Sequence, residues 1–94
     1  MNSIEITGTL TRSEGVRMTL GGDEVFEGVL HHRSEVLEAG VPRKLEFDFN
    51  AVAYGPVAER LNKLPLGRDL HLKGFVAPRS MRTQFLLVHI TDFN

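Results

Sequence analysis

The chain has no cysteine and no tryptophan, a single tyrosine, and no long apolar run. Without cysteine there are no disulfides and no thiolate metal sites, which fits a reducing compartment. No stretch approaches the roughly 20 apolar residues of a membrane helix. No basic-then-apolar amino terminus suggests export. The expectation is a cytoplasmic protein with no membrane partner. A surplus of one charge is missing too: 11 Lys and Arg stand against 12 Asp and Glu, a formal net charge of −1. That balance argues neither for nor against a polyanionic ligand, because binding depends on where the cations sit.

What is present is ordinary for a small globular protein. The 94 residues suit one compact domain spanning residues 1–94, and 41% hydrophobic with 24% charged residues is a common soluble composition. A chain of this size buries only about 60–65% of its unfolded surface. A partner subunit would add stability.

The pattern is mostly that of strands. "NSIEITGTLTR" places Ile4, Ile6 and Leu10 among polar neighbours, and Gly8 within it marks a bulge or a close backbone approach. "GVRMTLGGDE" reads as a short strand entering a turn at Gly21–Gly22, and the sheet resumes from Val25 to about Arg33. "SEVLEAGVPR" is polar, with Gly40 and Pro42, and reads as a loop with room for a helical turn at Glu35–Ala39. "KLEFDFNAVAYG" alternates: Leu45, Phe47, Phe49 and Ala51 on one face, Glu46, Asp48 and Asn50 on the other. Pro56 then opens a helical period through Val57, Leu61 and Leu64, and Pro65 ends it. "RDLHLKGFVA" and "TQFLLVHITDF" are the last two strands. Short strands with one helix between the third and fourth of five predict an all-β, OB-fold Greek-key barrel, in which closure removes sticky edges.

Catalytic and metal-binding patterns are sparse. His31 and His32 are adjacent, so a regular strand points them to opposite faces, and His71 and His89 lie on other strands. None of Ser3, Ser13, Ser34 and Ser80 stands in a nucleophile elbow, and Gly21–Gly22 lacks the lysine of a phosphate loop. Glu46 and Asp48 share a strand face and read as solvated charges. No enzyme, cofactor or metal is expected. The cations are more informative. Arg17, Arg33, Arg43, Lys44, Lys73, Arg79 and Arg82 are expected along one flank of the barrel, with Arg79 and Arg82 in the connection between the last two strands. Those connections border the face on which OB barrels track single strands. Glu14, Asp23, Glu24, Glu59 and Asp92 are expected elsewhere. Phe75, after Gly74, is the candidate stacking ring, with Phe85 expected roughly opposite.

"ITGTLTR", "VLHHRSEVLEAGVPR", "LPLGRDLHLKGFVAPRS" and "LLVHI" together resemble primosomal replication protein N, the PriB group, which is related to bacterial single-stranded DNA-binding proteins. The resemblance runs over nearly the whole chain. It implies an OB-fold homodimer without enzymatic activity that binds single-stranded DNA and assists the primosomal helicase PriA in replication restart. Arg17, Arg33, Arg43 and Lys44 match basic positions of that group, and Arg79 and Arg82 lie in its basic hairpin loop, shorter here than in the enterobacterial form. Glu46 stands where that form has an aromatic, and Asp48 adds a second carboxylate, so weaker DNA binding is implied. Dimerisation is expected through an open edge of the first strand, at Ile4, Ile6, Gly8 and Leu10. The alternative is a mainly protein-binding OB module that acts on the helicase.

Overall fold

The computed structural model describes residues 1–94. Its elements are β1 (Ile4–Met18), β2 (Glu24–Glu38), β3 (Val41–Tyr54), α1 (Pro56–Asn62), β4 (Asp69–Pro78) and β5 (Leu86–Phe93). The sheet closes in the order β1-β2-β3-β5-β4, with β3 and β5 parallel and every other pair antiparallel. This is the expected OB barrel with its helix between the third and fourth strands.

The two amino-terminal segments are one strand of 15 residues. Extra residues between Leu10 and Arg12 and between Ser13 and Val16 shift its register against β2. Such bulges bend a strand, and the bend lets the first half of β1, Ile4–Thr9, pair with β4 while Thr9–Met18 pairs with β2. Gly8 is not bulged. It pairs regularly with Leu70, and a Cβ there would come within 3.1 Å of the Leu30 Cβ. Close approach is what its lack of a side chain permits.

Inward positions assemble the core from Leu10, Phe26, Leu30, Ala51, Leu72 and Ile90, and α1 adds Ala58 and Leu61 to the same cluster. Pro56 suits the first turn because its missing N–H has no helical partner there. A second cluster, Val25, Val52 and Leu87, is also buried, although these residues alternate with Phe26, Ala51 and Val88 of the main core. They therefore face out of the barrel wall.

The largest departure from expectation is residues 34–43. They form no loop and no helical turn. β2 and β3 pair without interruption from Val25↔Tyr54 to Glu38↔Val41, joined by only Ala39 and Gly40. Both joining residues have positive φ, 52° and 78°, the backbone of a type I′ hairpin turn. Ala39 hides that turn from a reader of the sequence, because a residue with a Cβ rarely adopts this conformation. The result is a long arm whose apolar residues Val36, Leu37 and Val41 are exposed.

Candidate nucleic-acid interface

A groove on the outer wall is lined by Glu14, Gly15, Arg17, Glu27, Asn50 and Arg79 among others. β1 supplies Arg17 from one border, and the start of the β4–β5 connection supplies Arg79 from the other. Both guanidiniums donate to the same oxygen, Oε1 of Glu27 on β2, Arg17 from Nη2 at 3.3 Å and Arg79 from Nη1. Glu14, expected elsewhere, lies in this groove and pairs with Arg12 at 3.2 Å.

Farther along the same wall, the β2–β3 register sets His31 opposite Asp48 and Arg33 opposite Glu46. Nδ1 of His31 lies 2.6 Å from Asp48, Nε2 lies 2.8 Å from Glu46, and Glu46 also takes Arg33 Nε at 3.1 Å. Both ring nitrogens meet carboxylates, an arrangement in which both must carry hydrogen. The imidazole is accordingly pushed above its ordinary value, chiefly by the hydrogen bond to Asp48 and then by that to Glu46. Glu46 is held below the usual carboxylate range, first by the His31 hydrogen bond and then by the charge of Arg33. His32, on the opposite face, is buried and satisfied: Nδ1 donates to the Thr7 carbonyl at 2.7 Å and Nε2 accepts from the Ser34 hydroxyl at 2.7 Å.

Aromatic rings gather on the β3–β5–β4 part of the wall. His89 stacks on Phe75 with ring centres 4.7 Å apart and planes at 16°, and Tyr54 lies on the far side at 6.3 Å and 15°. Phe75 is 36% exposed and Tyr54 47%. The partner of Phe75 across the ladder is His89 rather than Phe85, which lies exposed just before β5.

Residues 2–92 match the model of "Another single-strand binding protein family". The chain is 33% identical over 91 residues to the replication restart protein PriB of Nitrosomonas europaea, covering 97% of this chain and 84% of that one. It is 36% identical over 90 residues to PriB of Bordetella pertussis, covering 96% and 84%. The chain belongs to the PriB family of single-strand binding proteins. Among solved structures, PriB of Ralstonia solanacearum superposes with a TM-score of 0.90 at 26% identity, over 100% of this chain and 97% of that one. A Plasmodium falciparum single-strand binding protein, solved with single-stranded DNA, shares the fold at TM-score 0.76 and 16% identity, over 100% and 91%.

Against this PriB framework, the seven expected cations fall into separate groups. Arg17 and Arg79 are brought together. Arg33, Arg43 and Lys44 ride on the arm, where Arg33 pairs with Glu46 and Arg43 with Glu38, while Lys44 stands opposite Glu35 without an ion pair. Lys73 is on β4, with Glu5 and Asp92 as its ladder neighbours. Arg82 sits in the β4–β5 connection, its backbone N–H donating to Ser80 at 3.2 Å. The uniform basic flank is therefore replaced by a surface where carboxylates alternate with cations.

Gly8 and Leu10 are buried inside the barrel, Leu10 to 1%, and Ile4 and Ile6 pack against the same core. β1 is also not a free edge along its length. Only half of each side is open, because β4 takes Ile4–Thr9 and β2 takes Thr9–Met18. The buried Leu10 side chain is out of reach of a second copy, while Glu5 and Thr7 of the same segment are exposed.

Proposed function

We propose that the protein is a single-stranded DNA-binding accessory factor of replication restart, without catalysis of its own, that recruits or stimulates the primosomal helicase PriA in the cytoplasm. The observation that carries this reading is the convergence of Arg17 and Arg79 on one point of a groove between the β1 border and the β4–β5 connection. Two guanidiniums aimed at one oxygen suit a phosphate, and the fold and family are those of single-strand binders. Arg82, outside any ion pair, adds a cation to the same connection as Arg79, and Lys44 on the arm and Lys73 on β4 are separate unpaired cations. The Phe75 ring offers a surface on which a base stacks. Titration of fluorescent oligo-dT at low and high salt tests the reading: binding that weakens with salt supports it, and no binding at low salt overturns it.

A second reading is supported by the pairing of Arg33 with Glu46 and Arg43 with Glu38. A neutralised arm repels a phosphate chain less than an acidic one but attracts it little. On that reading the arm is a protein-contacting surface for the helicase, and DNA binding is secondary. Weak oligo-dT binding with full stimulation of PriA would favour it.

The same proposal includes a homodimer. The side of Ile4–Gly8 turned away from β4 is unpaired in the ladder, and unpaired strand edges are commonly closed through a two-fold axis. Sedimentation at micromolar concentration is expected to give twice the chain mass, and a monomer would contradict it.

A further inference from the structure

Glu27 is the least exposed carboxylate among the ion pairs of the outer wall, its side chain only 18% accessible. It projects from β2 opposite Val52, beside the buried outward cluster of Val25, Val52 and Leu87. Its Oε1 receives both Arg17 and Arg79. A carboxylate oxygen held by two guanidiniums reproduces the contacts of a nucleic-acid phosphate oxygen. The sequence contains no signal for this, because Glu27, Arg17 and Arg79 are brought together only by the barrel's closure.

We infer that Glu27 is an internal phosphate mimic that occupies the groove's anion position and holds down its affinity for single-stranded DNA. The inference rests on the DNA-binding reading above. With Glu27 in place, the three side chains sum to one positive charge rather than two. A strand that enters must also draw both arginines off the carboxylate and then run past it, and a desolvated negative charge beside a phosphate opposes binding. Glu27 is thus a specificity-determining residue: a ligand must offer more than one weakly held anion to displace it.

Glu27→Gln keeps the size and one acceptor oxygen but removes the charge. Each phosphate neutralised by a cation contributes about −0.7 to the slope of log affinity against log salt for single strands. Removing the Glu27 charge adds one net cation to the groove, so Glu27→Gln is expected to bind oligo-dT more tightly with a slope steeper by about 0.7, its gain about 2.6 times larger at about 50 mM salt than at about 200 mM. Adding Arg17→Ala and Arg79→Ala to Glu27→Gln is expected to abolish the gain. An unchanged or weakened affinity in Glu27→Gln, with an unchanged slope, overturns the inference while leaving the DNA-binding reading intact. A gain that survives the two alanine substitutions overturns it as well. Absence of binding by every variant at about 50 mM salt overturns both.

Discussion

His31 and Asp48 face each other across the β2–β3 ladder, with Nδ1 and Oδ1 2.6 Å apart. Glu46 closes on the other nitrogen of the ring. With its ring protonated, His31 bridges two carboxylates of the next strand, and the patch that they form with Arg33 then sums to zero charge.

This contact has a pH signature of definite sign. The folded value of His31 is raised, so its contribution to stability is complete below the ordinary imidazole value and is lost as pH climbs through the raised one. The folded value of Glu46 is lowered, so its contribution is complete above the ordinary carboxylate value and is lost as pH falls through the lowered one. Both contributions are complete between the ordinary carboxylate value and the ordinary imidazole value. Asp48→Asn removes the larger support, and the His31 titration followed by NMR is expected to move down towards the ordinary value. An unmoved titration would contradict the pairing.

The arm's turn is strained at one residue. Ala39 holds φ at 52°, where a Cβ costs about 1 kcal/mol or more, and Asn-Gly is the favoured pair for this turn. Ala39→Asn is expected to stabilise the protein by about 0.5–1 kcal/mol. In urea the midpoint should rise with the slope unchanged. A midpoint that falls would show that the turn has another geometry.

On the proposed function, a base stacks on the exposed ring of Phe75. Phe75→Ala is expected to weaken oligo-dT binding by about 1–3 kcal/mol, with little change in the salt slope because no cation is removed. A slope that changes as much as the affinity would mean that the ring acts by positioning neighbouring charges instead.

Much of the fold was legible because period and punctuation agreed. Leu45, Phe47 and Phe49 alternate as a half-buried strand must, and Pro56 and Pro65 bracket α1. The charge pairs were not legible, for one physical reason. Residues 34–43 read as a loop, since Ala39 gave no sign of a positive φ. Without that turn the register of β2 against β3 is unknown. Register is what sets Glu46 beside Arg33 and Asp48 beside His31, and a shift by a single residue sends every side chain to the other face. Arg17, Arg79 and Glu27 meet through contacts far apart in the chain, which no local pattern encodes. The cationic residues themselves were found by type; the carboxylates that answer them required the closed barrel.

On the proposed function, Arg17 and Arg79 jointly receive the phosphates of a single strand. The most direct measurement is the salt dependence of oligo-dT affinity for the parent and for the Arg17→Ala, Arg79→Ala double variant. The double variant is expected to bind more weakly, with a slope shallower by about 0.7 for the one net positive charge that the groove loses. The same slope and affinity in both proteins would contradict the claim.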